Sequence, residues 1–206
     1  FVMSLPKSAT ADTGMDVLTH AIEAYVSCMA TNFTNSTALE AIKQVFRYLP
    51  RSYKEGVNDP KAREKMHHAA TIAGMAFANS FLGLCHSMAH KLGAMFHIPH
   101  GVANALLLPY ILEYNGEACP ERYVEMGKAF GLDMDGLTGK EAVKKVVDAV
   151  RELAIRLNIP QHISEVGGKE EDIPMLAKKA LEDPCTGGNP RETSLEQFEE
   201  LFKIAF

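Results

Sequence analysis

No stretch of this 206-residue chain approaches the roughly 18 uninterrupted apolar residues that a membrane-spanning helix needs, so the sequence predicts no membrane span. Nothing at its amino terminus resembles a signal peptide. A basic excess is also missing. The 21 Lys and Arg stand against 26 Asp and Glu, and a net charge of -5 with a pI near 5.9 leaves no basic surface for nucleic acid. The four cysteines, Cys28, Cys85, Cys119 and Cys185, are scattered without a Cys-x-x-Cys pair. That argues against a disulfide framework or a thiolate zinc site, and for reduced thiols in a cytoplasmic setting. No GxGxxG or Walker-type loop follows a strand pattern, so a nucleotide phosphate cradle is lacking. Strand-rich stretches, internal repeats and low-complexity linkers are lacking too.

What is present is helical signal and enough apolar residue, 47% of the chain, for a packed core. Asp12 or Thr13 can cap a helix to about Met29, with Leu18, Ile22, Tyr25 and Val26 inward. Thr37 with Glu40 reads as a capping box before Leu39, Ile42, Val45, Phe46 and Leu49, with Pro50 as the stop. Asp59-Pro60 supplies a cap and a first-turn proline for a helix running into the small residues of AATIAGMAFANSF. Further helices are expected from Gly101 to Tyr114, kinked or ended by Pro109, from Pro120 to about Phe130, and after a Thr138/Glu141 box to Leu157. Two more fall at about Glu171–Glu182 and, through a Thr193/Glu196 box, from Leu195 to the end. The expected architecture is one all-α domain over residues 1–206.

The organising stretch is Leu82–Asn115, which holds His86, His90, His97 and His100. His86 and His90 are four apart among Leu, Ala and Met, hence on one helical face about a turn from each other. Pro99 breaks that helix, and His100 follows the turn, where a folded-back chain can aim it toward His86. Asp16 and His20 repeat the four-residue spacing in an earlier apolar helix, and an inward carboxylate is costly unless a cation or donors compensate it. Two explanations fit this pattern. Each histidine can be satisfied singly by backbone carbonyls. Alternatively, one carboxylate oxygen and two or three imidazole nitrogens form a divalent-metal site without thiolate, suited to iron, zinc, manganese or nickel.

Asp16-x-x-x-His20, His86-x-x-x-His90 and Pro99-His100-Gly101 with Asn104, together with KSATADTGMD and CTGGNPR, resemble the iron-containing (group III) alcohol dehydrogenases. The stretches DPKAREKMHHAATIAGMAFANSFLG and HKLGAMFHIPHG resemble in particular the alcohol dehydrogenase part of the bifunctional aldehyde-alcohol dehydrogenases. The resemblance implies the helical metal-binding domain of the dehydroquinate synthase-like fold. An upstream α/β nucleotide-binding domain would lie outside this chain, which starts without an initiator Met and reads as part of a longer enzyme. It implies Asp16, His20, His86 and His100 as metal ligands, with His90 beside the nicotinamide and Phe77 and Cys185 lining the substrate pocket.

The activity so implied is interconversion of a short primary alcohol and its aldehyde with NAD or NADP, by a homo-oligomer holding Fe2+, or else Zn2+. His90 can serve as a proton relay or as packing, and His67, His68 and His97 are assigned to surface or core. Asn104 is either a polar anchor near the metal or a buried amide bonded to backbone. One alternative is a glycerol dehydrogenase-like zinc domain, which uses fewer ligands than the set that includes His20. Another is a helical metal-dependent phosphohydrolase, which normally shows an adjacent His-Asp pair that is absent here. The last is a helical interaction module with incidental histidines.

Overall fold

A computed structural model gives the structure over residues 2–206. Among the described residues there are nine α-helices and no strand: α1 (Lys7–Val26), α2 (Asn32–Glu55), α3 (Pro60–Ser80), α4 (Leu84–Phe96), α5 (His100–Gly116), α6 (Pro120–Phe130), α7 (Gly139–Arg156), α8 (Ile173–Leu181) and α9 (Leu195–Ile204). Short 3-10 turns join some of them, one at Pro184–Gly188. The all-α expectation holds. No single helix among the described residues is long and apolar enough to cross a membrane.

Several helix starts differ from the capping patterns. α1 begins at Lys7 behind Pro6, and Thr13, inside it, donates its hydroxyl to the Ala9 carbonyl at 2.7 Å. α2 is capped by a box of Thr31 and Thr34, while Thr37 bonds back to the Thr34 carbonyl at 2.9 Å. The box before α9 is Ser194 with Gln197, one residue along from Thr193 and Glu196. Thr138 precedes α7 without capping it through its side chain. A hydroxyl within a helix can return its hydrogen bond to the preceding turn, so the pattern marks a nearby helix without fixing its first residue. Pro50 and Pro109 are likewise accommodated inside α2 and α5. Asp59 does cap α3, accepting from the Ala62 amide at 3.0 Å with Pro60 at the first helical position.

Met15, Leu18 and Ile22 of α1 and Ile42, Val45 and Leu49 of α2 are fully buried in one hydrophobic core. Their spacing puts them on one face of each helix, and truncating one, as in Leu18→Ala, would cost about 2–5 kcal/mol. Ala69, Ala73 and Ala76 are the buried face of α3, which packs against α1 and α2. α5 is buried along most of its length and packs on α1, α4 and α7. Its seat on α1 depends on Gly101, where a Cβ would stand 2.2 Å from the backbone oxygen of Asp12. Only a residue without a side chain lets that end of α5 come so close to the turn of α1 that precedes Asp16. α3 and α4 meet at 108°. Phe81 closes α3 with φ 68° and ψ -170°, backbone that glycine favours.

Candidate metal centre

α1 carries Asp16, His20 and Glu23 along one stripe, α4 carries His86 and His90, and α5 opens with His100 and continues to Asn104. The fold brings Asp16, His20, His86 and His100 together: each offers a ligand atom, and the four atoms lie within 4.8 Å of one another. Ligands about 2.1 Å from a tetrahedral ion would stand about 3.4 Å apart, so modest side-chain adjustment closes such a shell. The Asp16 carboxylate is the hub. Its Oδ1 is 3.8 Å from His86 Nε2 and 3.4 Å from His100 Nε2. The His20 ring lies 4.3 Å from that of His86, centroid to centroid.

Hydrogen-bond partners fix which ring nitrogens are free. His20 Nδ1 donates to the Asp16 carbonyl at 2.7 Å, leaving Nε2 available. His86 Nδ1 is 2.5 Å from Glu23 Oε2, an acceptor, so Nδ1 carries a proton and Nε2 is the nitrogen that a neutral ring turns toward Asp16. That Nε2 is buried without any hydrogen-bond partner. An orphaned imidazole nitrogen facing a carboxylate is unfavourable unless a cation joins them, and this donor set fits a divalent ion. Burial lowers the pKa of His20, with the neighbouring His86 acting the same way against Asp16. His100 is also lowered, by burial first, with Asp16 opposing and His86 and His90 adding to the lowering. Both shifts favour the neutral ring, the state a cation requires.

Asn104, fully buried, donates through Nδ2 to Asp16 Oδ1 at 2.7 Å and contacts His100 Nε2 at 3.1 Å, so it is a polar anchor of the cluster and not a backbone-bonded amide. His86 is closed off at 1% side-chain exposure, whereas His100 at 44% borders solvent, and the cluster is open on that side.

His90 stands apart from the four. Its Nδ1 lies 3.0 Å from Asp183 Oδ2, and its ring stacks on His100 with centroids 5.5 Å apart. Asp183 also accepts from Lys91 Nζ at 2.7 Å and from the Cys185 amide at 2.9 Å. Burial would raise the Asp183 pKa, but Lys91, the Cys185 amide and His90 outweigh it and hold the carboxyl at about 2. His90, Asp183 and Cys185 could geometrically ring an ion, yet the Lys91 ammonium already supplies the positive charge there. The Cys185 thiol is pushed up to about 12, by burial first and then Asp183, so it is not a nucleophile at neutral pH. Phe77 packs on His20 with ring centroids 4.6 Å apart. His67, His68 and His97 are exposed, as surface histidines should be. A surface groove of about 740 Å³ beside Glu113, Lys144 and Arg151 lies on the α5–α7 face and contains none of these histidines.

Glu23, Asp183 and Lys91 also belong to the site, although no motif in the sequence marks them. Glu23 was legible in principle, because it follows Asp16 by two helical turns in the apolar run THAIEAYV and so shares its inward face. Asp183 lies in a turn with no periodicity to place it.

A family model described as "Fe-containing alcohol dehydrogenase family, C-terminal" matches residues 10–206. An NADPH-dependent butanol dehydrogenase of Clostridium saccharobutylicum is 42% identical over 98% of this chain and 52% of its own length. A bifunctional aldehyde-alcohol dehydrogenase of Escherichia coli is 43% identical over 97% of this chain and 25% of its own length. The crystal structure of a 1,3-propanediol oxidoreductase superposes with a TM-score of 0.97 at 41% identity, covering 99% of this chain and 53% of that one. The chain thus spans about half the length, or less, of these relatives.

Proposed function

Because the chain belongs to the Fe-containing alcohol dehydrogenase family and matches its C-terminal domain, we propose that it is the metal-binding catalytic domain of an NAD(P)-dependent alcohol dehydrogenase. Asp16, His20, His86 and His100 would hold one divalent ion, iron(II) by likeness to the Fe-containing family with zinc as the alternative, since a nitrogen and oxygen set accepts several metals. The observation that carries this is the buried, unpartnered His86 Nε2 facing Asp16. A bound ion would supply Lewis acidity, favouring the deprotonated form of an alcohol and polarising an aldehyde carbonyl.

The chain's own groups account for the rest. His90 donates its Nδ1 proton to Asp183, so its Nε2 is free to take a proton from a hydroxyl and pass it to solvent. Its side chain is 39% exposed, which gives that proton an exit. Phe77, packed on His20, and the inert Cys185, next to the Asp183 carboxylate, would be the apolar residues that border a short carbon chain. The nucleotide fold would come from an upstream domain, as would the choice between NAD and NADP, and the enzyme would work in the cytoplasm as a homo-oligomer. The residues here include no glycine-rich phosphate cradle at a helix start.

Metal analysis after anaerobic preparation tests the site. One divalent ion per chain is expected, and His20→Ala or His100→Ala should release it, because three remaining protein donors with an open position hold it less well. Stoichiometric metal in both variants would overturn the assignment. Calorimetry of the 206-residue chain with NADH should show no micromolar binding, and full dehydrogenase activity of this chain alone would count against the domain reading.

A further inference from the structure

Glu23 is only 2% exposed, and no Lys or Arg pairs with it among the described residues. Both oxygens of its buried carboxylate are engaged. Oε1 accepts the Cys85 amide at 2.7 Å and Oε2 the His86 Nδ1 proton at 2.5 Å. Cys85 is the second residue of α4, whose cap position is Gly83 and has no side chain to offer. The first-turn amides of α4 are therefore met from outside, one by α1 through Glu23.

A carboxylate can only accept, so Glu23 selects the tautomer of His86 that is protonated on Nδ1. The bare Nε2 then faces Asp16 Oδ1 across 3.8 Å, two acceptors with nothing between them. Had the proton been on Nε2, His86 could have donated toward Asp16 and satisfied the pair without any ion. We propose that Glu23 is the positioning residue of this centre: by holding the His86 proton on Nδ1 and placing a second negative charge behind that ring, it keeps Nε2 as the nitrogen presented beside Asp16 to a divalent cation. This rests on the metal reading above and deepens it. Glu23 itself does not ligate.

Glu23→Gln keeps the shape but offers a single acceptor oxygen to two donors. With the amide nitrogen turned toward His86, the ring is satisfied only by moving its proton to Nε2, which removes the ligand. The test is carried out on the full-length protein, stripped of metal and labelled with 15N at histidine. NMR should show His86 protonated at Nδ1 in the parent and at Nε2, or a mixture, in Glu23→Gln. Competition with a chelator for Zn2+ should show affinity lowered about 10–100-fold in the variant.

A purely structural role through the α4 cap would change the thermal midpoint without changing the tautomer. Zn2+ affinity within twofold of the parent, or an Nε2 proton on His86 in the parent, would overturn the proposal. The parent tautomer decides even if the variant does not fold. A parent that takes up no Zn2+ would instead defeat the metal reading, and the two failures are thereby told apart.

Discussion

His86 and His90 stand one turn apart on α4, and each gives its Nδ1 to a carboxylate from another part of the chain, but the two carboxylates keep different company. Glu23 is enclosed with no Lys or Arg beside it, and Asp16 lies on the far side of the same imidazole. Asp183 shares its Oδ2 with the Lys91 ammonium. Around His86 two carboxylates are therefore hydrogen-bonded but paired with no Lys or Arg, and a divalent ion would restore the charge balance. Around His90 the charge is already neutralised, so the same hydrogen bond orients a ring without creating a demand for metal. Spacing along a helix puts two imidazoles on one face; the charge behind each ring separates their roles.

Removing each ring in the full-length enzyme should separate the two roles most strongly. His86→Ala should lose metal and activity together. His90→Ala should retain metal near one per chain while turnover of alcohol falls by roughly 10²–10⁴-fold. Metal analysis beside steady-state kinetics reads both, and a metal-free His90→Ala protein would show that the two rings do the same thing.

Changing the carboxylate behind His90 is the next step down. Asp183→Asn takes the charge from the group that His90, Lys91 and the Cys185 amide share, and weakening the bond to His90, worth about 1.5–3 kcal/mol, should drop turnover roughly 10–100-fold with metal content unchanged. Loss of metal in Asp183→Asn would mean that the His90 side also supports the ion.

Gly101→Ala acts on the α1–α5 contact alone. Its Cβ would meet the Asp12 backbone oxygen at 2.2 Å, and overpacking of that kind costs about 1–3 kcal/mol. The thermal midpoint of the metal-free protein should fall, and Zn2+ affinity with it as His100 moves from Asp16, whereas the His90 to Asp183 hydrogen bond, read by 15N histidine NMR, should persist.

The smallest effect is in acid. The Asp183 pKa in the folded protein is about 2 against an ordinary 3.8, so the folded state binds fewer protons there than the unfolded chain. The stability this contributes is complete above about pH 4 and is lost as pH falls through about 2. Denaturation of the metal-free protein should show the gap between parent and Asp183→Asn narrowing over that interval, and a gap independent of pH would show that Asp183 is held by packing and not by its charge.

The all-α class is written locally in the chain, in the 3.6-residue spacing of Leu18, Ile22, Ile42, Val45 and Leu49 and in the breaks at Pro60, Pro99 and Pro120. The same spacing puts Asp16 with His20, and His86 with His90, on shared helix faces, because that too is periodicity. Helix starts were less legible, as Thr13, Thr37 and Thr138 show: a hydroxyl serves a cap or the preceding turn equally well, and packing of the whole helix chooses. Only the tertiary structure decided that α5 would seat Gly101 on α1 and so bring His100 to Asp16, and that Glu23 and Asp183 would stand behind His86 and His90. Those partners come from distant parts of the chain, and a hydrogen bond across 63 or 93 residues leaves no periodic trace, because it is made by the folding of one helix onto another and not by the spacing within either.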